Sequence, residues 1–428
     1  MKGEHRERSS GTMRIAIVSK ANRSGGGASR VAEDLAGWYA ARGMDVAHFC
    51  GGHAGSLLPF QREIHTSPLA TRIYRQIHWM TRPWGLNELF PGEYFGSLAR
   101  KLKGFDAVHF HDLLHTISPL TLALCARKKP VFFTVHDCTA FTGGCLYPMG
   151  CERFRTGCGK CPSLASFGAR HDFTRFNARV NRWVARNPKV HFIFPSAWIA
   201  KQAGEALRFG CPPSTIPYGF DPGPYEFPPR AQAREELRLP EGRRIVLISA
   251  HDLGDPRKGA MEAVRAIESV RDLQPFILLV GKPDARIRQA LEGFDLHETG
   301  FVHDRRELGR LFAAADLFLF CSLEDNLPLA VLETSAAGTP IVGFAAGGIP
   351  EIPGEEGARH LVKTGDQAAL NAELRKALND PELHRRGPYL KGRIKTVFAP
   401  ERCVEAHLAL YREKLTMSGT TGKNLHEK

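Results

Sequence analysis

The 428-residue sequence lacks any long hydrophobic run, and this absence excludes one class of protein at once. No stretch of about 18 consecutive apolar residues occurs, so we expect no segment that spans a membrane. The charged N-terminus, MKGEHRERSSGT, is not followed by the hydrophobic core of a signal peptide, so we expect a cytoplasmic protein. Internal repeats and long low-complexity segments are also missing, which argues against a solenoid.

Positive charge is concentrated in the first half of the chain. The net charge is +13, and residues 1–220 contain 29 Lys and Arg but only 14 Asp and Glu. One interpretation is an ordinary solvated surface. The other is a surface that meets an anionic partner, which would be a phosphorylated lipid acceptor, the inner leaflet of a membrane in peripheral contact, or nucleic acid.

Short apolar runs alternate with helical patterns along the whole chain. Five runs in the first half predict buried strands: Arg14–Lys20, Asp45–Phe49, Ala107–Phe110, Val131–Val135 and Val190–Phe194. Four runs in the second half do the same: Ile245–Ala250, Phe276–Gly281, Leu317–Phe320 and Pro340–Phe344. Two series of strand–helix units predict two doubly wound α/β domains with parallel sheets.

The Pro- and Gly-rich stretch Cys211–Pro229 predicts a linker between these domains. We therefore predict an N-terminal domain over 13–210, with a Cys-rich insert at 138–161, and a C-terminal domain over 217–398. An amphipathic helix over 399–415 is expected to pack back on the N-terminal domain. The tails 1–12 and 416–428 are expected to be disordered.

The most informative segment is SLEDNLPLAVLE, from Ser322 to Glu333. Asp325 follows a predicted strand and Glu333 lies in the next helix, with seven residues between the two acids. A carboxylate there can accept two hydrogen bonds from the vicinal hydroxyls of a sugar, although acids near a helix start also complement the helix dipole. Gly347 and Gly348 end the next predicted strand and would let backbone amides approach a phosphate.

A basic pair, Arg257 and Lys258, follows the strand Ile245–Ala250 and precedes a helix. Such a pair can neutralise a diphosphate, although a basic pair alone is more often ordinary surface. The glycine run Gly25–Gly27 lacks the G-x-G-x-x-G spacing of a dinucleotide site. Polar side chains that end two neighbouring strands are further candidates, since ligands bind at such ends: His109, His111, Asp112 and His136.

Five of the ten cysteines are scattered and are interpreted as small core residues. The other five, from Cys138 to Cys161, fall within 24 residues. Cys145, Cys151, Cys158 and Cys161 predict a structural zinc site with four thiolate ligands. Free or redox-active thiols and an iron–sulfur cluster are the alternatives, whereas a cytoplasmic location disfavours disulfides.

Two acids with seven residues between them, followed by a G-T-P-I-V strand and a G-G-I-P-E loop, resemble the retaining family 4 glycosyltransferases. The resemblance extends from Met13 to about Leu415. It implies an α/β protein of the GT-B fold, with two Rossmann-like doubly wound parallel-sheet domains and an inter-domain cleft. The insert resembles the exopolysaccharide and colanic-acid-type branch. The first acid is Asp325 where the family usually has Glu, and Glu324 lies beside it.

The resemblance implies a hexosyltransferase-type enzyme that moves a sugar, with retention, from a nucleotide-diphosphate sugar to a glycan or lipid-linked acceptor. No cofactor is needed for the catalysis that it implies. The catalytic residues would be His136, Lys258 and Asp325. The acceptor would contact His109, His111 and Asp112. The donor would contact Gly26, Gly27, Arg257, Lys258, Asp325, Asn326, Leu327, Glu333, Gly347 and Gly348.

Other classes stay open at this point. One is another GT-B-fold enzyme, such as a sugar-nucleotide epimerase, and another is an inactive family member. A third is a basic, zinc-containing nucleic-acid-binding protein. The cysteine cluster lacks the spacing of a zinc finger, and no aromatic–basic motif of an RNA-binding sheet occurs, so we expect no nucleic-acid partner.

Overall fold

The computed structural model describes residues 13–65, 68–86, 89–226 and 229–423. They form two compact units. The first unit comprises residues 13–195, 201–219 and 403–423, and the second comprises 196–200 and 220–402. The predicted tail 1–12 and the last five residues, 424–428, lie outside the described residues.

The first unit is built on a seven-stranded parallel sheet in the order β3-β2-β1-β4-β5-β6-β7. Its strands are β1 (Arg14–Ser19), β2 (Asp45–Cys50), β3 (Gln61–Glu63), β4 (Ala107–Phe110), β5 (Val131–Thr134), β6 (Val190–Phe194) and β7 (Ser214–Thr215). Its helices are α1 (Gly27–Ala41), α2 (Pro68–Thr81), α3 (Ala99–Lys101), α4 (Pro119–Ala126), α5 (Arg153–Thr156), α6 (Thr174–Ala185) and α7 (Ala197–Ala206), the last of which starts in the second unit.

The second unit contains a six-stranded parallel sheet in the order β10-β9-β8-β11-β12-β13. Its strands are β8 (Ile245–Asp252), β9 (Phe276–Lys282), β10 (Leu296–Gly300), β11 (Leu317–Phe320), β12 (Ile341–Phe344) and β13 (Leu361–Val362). Its helices are α8 (Arg230–Leu237), α9 (Ala260–Glu268), α10 (Ala285–Ala290), α11 (Arg305–Ala314), α12 (Leu329–Ala337), α13 (Gly354–Gly357), α14 (Gln367–Asn379), α15 (Gly387–Val397) and the first turn of α16 (Pro400–Lys423).

Central strands of both sheets are continuous apolar runs because helices cover both of their faces. All four residues of β4 and all four of β11 are buried. Two parallel, doubly wound sheets are the α/β architecture of the GT-B fold, as the sequence predicts.

The C-terminal helix α16 contributes to the core of the first unit. Val404, Leu408 and Tyr411 are buried in one cluster with Ile15 and Tyr39. The helix is longer than the predicted 399–415, and it includes residues 416–423, for which the sequence predicts a disordered tail.

A buried carboxylate fixes the register of two strands that carry the candidate site. Asp316, directly before β11, accepts a hydrogen bond from the backbone N–H of Ile245 at the start of β8, at 2.6 Å. Its charge is balanced by Arg230 and Arg234, each at 2.5 Å, and Arg234 is itself buried. Burial of a carboxylate is tolerated here because it is paired and hydrogen-bonded.

Candidate functional site

Three loops of the second unit bring the predicted donor-binding residues together. The loops follow β8, β11 and β12, which are neighbours in the sheet. Since all three strands are parallel, their carboxyl ends lie at one edge, where open α/β sheets bind ligands. The loops carry Arg257–Lys258, Asp325–Leu327 and Gly347–Gly348, and Glu333 lies in the helix that follows the second loop.

Arg257 and Lys258 both contact the carboxylate of Asp325. Lys258 Nζ lies 2.7 Å from Asp325 Oδ2, and Arg257 Nη1 lies 3.1 Å from the same oxygen. The Asp325 side chain is 9% exposed, whereas those of the two cations are about a fifth exposed. Two positively charged side chains therefore contact one nearly buried carboxylate in this site.

The basic pair has this geometry because it forms a single turn of 3₁₀ helix, Pro256–Lys258. Asp255 caps the turn by accepting a hydrogen bond from the backbone N–H of Arg257 at 3.0 Å. Gly259 ends the turn with φ +66°, and a side chain there would overlap the backbone carbonyl of Cys321. The loops after β8 and β11 are therefore packed backbone against backbone.

Gly347 and Gly348 pack in the same way against the loop that carries Asp325. The N–H of Gly348 donates to the carbonyl of Asp325 at 3.0 Å. Gly347 has φ +60°, and a Cβ there would overlap that same carbonyl, while one on Gly348 would overlap the carbonyl of Asn326. Only glycine fits at these two positions.

Glu333 is buried, with 4% of its surface exposed, in α12. The hydroxyl of Tyr225 donates to Glu333 Oε1 at 2.8 Å. Leu327 is also buried, and the side chain of Asn326 accepts a hydrogen bond from Ser196 Oγ at 2.6 Å. Glu333 and Asn326 are thus oriented by neighbours within the same unit.

Three residues of this region were not selected from the sequence: Tyr225, Ser196 and Glu351. The carboxylate of Glu351 accepts hydrogen bonds from the backbone N–H groups of Ala197 and Trp198, both at 2.8 Å. Glu351 is the last residue of the G-G-I-P-E loop, so the motif itself was a signal for it. Tyr225 and Ser196 are distant in sequence from the residues that they contact, and no motif marks them.

The first unit has a second polar cluster at the carboxyl ends of β1, β4 and β5, which are also neighbours in their sheet. Lys20 Nζ lies 3.1 Å from Asp112 Oδ2, and Ser29 Oγ donates to the same oxygen at 3.3 Å. Ser29 lies in the first turn of α1, directly after the glycine run that includes Gly26 and Gly27. The structure therefore brings the predicted glycine loop close to Asp112.

His136 belongs to the same cluster and has both ring nitrogens in contact with neighbours. Its Nε2 lies 2.9 Å from His111 Nδ1, and its Nδ1 lies 2.7 Å from the Tyr218 hydroxyl. Burial, and then the charge of Lys20, lower the pKa of His136 to about 3. The imidazole is therefore neutral at neutral pH.

His109, a predicted acceptor contact, lies in the interior of the sheet. It is fully buried, with Nε2 2.7 Å from Thr134 Oγ1 and Nδ1 2.6 Å from the Tyr411 hydroxyl. His111 and Asp112 lie beyond it, at the strand end. All three are buried, with 0%, 1% and 6% of the surface of His109, His111 and Asp112 exposed, but of the three His109 alone lies within a strand.

The four cysteines predicted to bind zinc line one small cavity of about 20 Å³ in the insert after β5. All four are partly exposed and none forms a disulfide. Across the described ranges, no group of three or more His, Cys, Asp or Glu side chains stands in a geometry that could hold a metal ion. The zinc site therefore stays a prediction at this point.

Comparison with known families matches both units. Residues 25–223 match the model described as "Glycosyltransferase Family 4", and residues 242–380 match the model described as "Glycosyl transferases group 1". Together with the two doubly wound sheets, these matches define the class: the chain is a glycosyltransferase of the GT-B fold.

Within that class, several named proteins are similar to this chain. The N-acetyl-alpha-D-glucosaminyl L-malate synthase of Bacillus anthracis is 27% identical, over 79% of this chain and 90% of that protein. The amylovoran biosynthesis glycosyltransferase AmsK of Erwinia amylovora is 26% identical, over 74% and 75%. An MMP alpha-(1->4)-mannosyltransferase of Mycolicibacterium hassiacum is 31% identical, but the match covers only 41% of this chain and 45% of that protein.

Solved structures share the fold at low sequence identity. The sucrose-phosphate synthase of Thermosynechococcus elongatus superposes with a TM-score of 0.71 at 20% identity, over 94% of this chain and 98% of that one. Anabaena HepE in complex with UDP-glucose superposes with a TM-score of 0.62 at 16% identity, over 95% and 100%. The comparisons favour neither the epimerase nor the nucleic-acid-binding alternative.

In the part of the chain that the structure describes, none of the helices combines the length and the apolar character needed to cross a membrane.

Proposed function

We propose that this protein is a retaining hexosyltransferase that moves a sugar from a nucleotide-diphosphate sugar to a hydroxyl of a glycan or lipid-linked acceptor in cell-surface polysaccharide biosynthesis. The observation that carries the proposal is the contact of Arg257 and Lys258 with Asp325 beside the Gly347–Gly348 backbone. The amylovoran enzyme and a colanic acid biosynthesis glycosyl transferase of Escherichia coli support the polysaccharide assignment. The complex of HepE with UDP-glucose supports a nucleotide-sugar donor.

The donor's diphosphate competes with Asp325 for the two cations. Once Arg257 and Lys258 pair with phosphate oxygens, the Asp325 carboxylate can accept hydrogen bonds from hydroxyls of the transferred sugar. Gly347 and Gly348 let the diphosphate approach the backbone closely, because no side chain intervenes. Glu333, oriented by Tyr225, accepts hydrogen bonds from the ribose hydroxyls.

The transfer itself breaks the bond between the anomeric carbon and the phosphate oxygen, and forms a bond from that carbon to the acceptor oxygen. Negative charge develops on the leaving diphosphate, where Lys258 and Arg257 stabilise it without having to reorganise. Attack from the face that the diphosphate leaves retains the anomeric configuration. The leaving phosphate oxygen takes the acceptor proton, so no side chain has to act as the base.

Donor identity is the first measurement. We would record thermal shifts with UDP-, GDP-, ADP- and dTDP-sugars, and expect stabilisation by one nucleotide class, because a ligand that binds only the folded state raises its stability. An unchanged melting temperature with all four classes, together with salt-dependent retention on nucleic acid, would contradict the proposal.

The site residues are tested by transfer assays with the donor so identified. Lys258→Ala and Glu333→Ala should each lower transfer at least ~10²-fold, as expected when one electrostatic stabiliser is lost. The matched control is Lys376→Ala, since Lys376 is a 70% exposed cation on α14 of the same unit. The anomeric configuration of the product, read by NMR, tests retention. Near-normal transfer by both site variants would refute the assignment.

A further inference from the structure

The Cys-rich insert contains little regular structure of its own. Between β5 and α6 the chain forms only short helical turns, of which the longest have four residues. Its apolar centre is small, with Phe141 and Phe154 packed at a ring distance of 5.7 Å. A segment with so little regular structure and so small an apolar centre would gain stability from a cross-link.

Four of its five cysteines line one cavity, although their side chains do not stand in a metal-binding geometry without rearrangement. Cys145, Cys151, Cys158 and Cys161 all line the 20 Å³ cavity, whereas Cys138 is fully buried elsewhere. The thiols of Cys145 and Cys161 are within hydrogen-bonding reach of each other. A cavity of this volume holds about one water-sized sphere, which suits a single ion.

The backbone around two of these cysteines forms a run of left-handed residues. Gly157, Cys158, Gly159 and Lys160 all have positive φ, between +49° and +111°. Left-handed backbone at Cys158 and Lys160 is unfavourable unless the surroundings enforce it. Here it turns the chain tightly, so that Cys158 and Cys161 line the same cavity.

Neighbouring residues hold this turn in place. The Asp172 carboxylate accepts the backbone N–H of Cys161 at 2.8 Å and the hydroxyl of Thr174 at 2.6 Å. That hydroxyl oxygen accepts the N–H of Gly159 at 3.0 Å.

The sulfur atoms accept hydrogen bonds from backbone N–H groups. Gly143 donates to the Cys158 sulfur, and Ser163 donates to the Cys161 sulfur. Such N–H donors orient and stabilise thiolates that bind a metal. Positive charge lies close by, because Arg153 lines the cavity and donates to the backbone carbonyl of Gly159 at 3.2 Å. A centre with four thiolates and one divalent cation carries a net charge of −2, part of which the Arg153 guanidinium offsets.

We propose that Cys145, Cys151, Cys158 and Cys161 bind one structural Zn²⁺ ion in the folded protein. Binding replaces thiol protons with the metal and draws the four sulfurs to about 2.3 Å from the ion, in a tetrahedron. The centre is closed by four protein ligands, so it takes no part in sugar transfer. Its role is to cross-link the insert.

The test is metal analysis of the full-length protein purified without a polyhistidine tag. We expect about one zinc and no stoichiometric iron per chain by inductively coupled plasma mass spectrometry. Zinc should be released when a mercurial blocks the thiols, as monitored with a colorimetric zinc indicator. Protein produced with Co²⁺ in place of zinc should show the visible bands and the sulfur-to-cobalt charge transfer of a tetrahedral thiolate site.

Variants distinguish this centre from chance binding. Cys158→Ser and Cys161→Ser should lose most of the zinc, whereas Cys211→Ser, a partly exposed cysteine outside the insert, should retain it. If the two insert variants do not fold, the cobalt spectrum of the wild-type chain decides the question. Zinc-free protein with ten titratable thiols, disulfides within the insert, stoichiometric iron with sulfide, or zinc retained in both insert variants would each overturn the proposal.

Discussion

Replacement of Asp325 by Asn separates the two roles that this carboxylate has in the proposed mechanism. The substitution preserves shape but removes the charge that Lys258 and Arg257 contact at 2.7 and 3.1 Å. We expect Asp325→Asn to bind the nucleoside diphosphate more tightly than the wild-type enzyme, because a competing anion has been removed. Transfer should nevertheless fall, because the neutral amide is a weaker acceptor for the hydroxyls of the sugar.

The size of the effect follows from these contacts. A hydrogen bond to a charged group contributes about 1.5–3 kcal/mol. Since the two cations are about a fifth exposed, solvent screens part of this interaction, and we take the lower end for the pair. We therefore expect the Kd of the nucleoside diphosphate to be about tenfold lower for Asp325→Asn than for the wild-type enzyme, since a gain of about 1.4 kcal/mol in binding free energy corresponds to a factor of ten.

The assay is calorimetric titration with the nucleoside diphosphate that the donor screen identifies, at low ionic strength. Asp272→Asn is the matched control, because it also breaks an Arg–carboxylate pair of the second unit, with Arg375 at 2.7 Å, but on an exposed surface. If Asp325→Asn retains the wild-type melting temperature and binds the diphosphate more weakly, Asp325 organises the phosphate site and does not compete for it.

Two further predictions concern the stability of the fold. Burial lowers the pKa of His407 from its ordinary value of 6.5 to about 4. Below pH 6.5 the unfolded chain therefore binds a proton at this residue that the folded protein does not bind. As a result, the free energy of unfolding decreases as the pH is lowered. His407→Phe should reduce the loss of unfolding free energy between pH 7.5 and 5.0 by about 2 kcal/mol, as measured by urea titrations. The control is His53→Gln, which should not reduce this loss, because His53 is exposed and Glu63 raises its pKa. An equal loss of unfolding free energy in the wild-type and His407→Phe proteins would contradict this prediction. Gly347→Ala should destabilise the protein by well over the ~1 kcal/mol expected from left-handed φ alone, because the new Cβ would also overlap the Asp325 carbonyl. The control is Gly365→Ala, at φ +82° in open space, which should cost only the ~1 kcal/mol of the left-handed φ in the same titrations.

Central strands could be predicted from the sequence, and edge strands could not. The predicted run Ala107–Phe110 is β4, and Leu317–Phe320 is β11, with the same bounds. The four strands without a prediction, β3, β7, β10 and β13, are the four edges of the two sheets. An edge strand pairs on one side only, and β10 is mostly exposed, so no continuous apolar run marks it.

In the candidate site, too, some residues could be predicted from the sequence and others could not. Residues that lie in short motifs, such as Asp325 and Lys258, could be selected because the motif spacing and the loop positions are visible in the chain. The partners that orient them could not, since Tyr225 is 108 positions from Glu333 and Ser196 is 130 from Asn326. His109 shows the converse limit: a polar residue near a strand end looks available in sequence, although its neighbours Thr134 and Tyr411 occupy both nitrogens.

The close packing of the three site loops limits how this protein can change during evolution. Gly259 and Gly347 each lie where a neighbouring loop's carbonyl leaves no room for a side chain. An insertion in any one loop would displace the other two, so their lengths should be inherited together. New donor preferences are then expected to arise from exchange of side chains such as Leu327, on a backbone frame that stays constant.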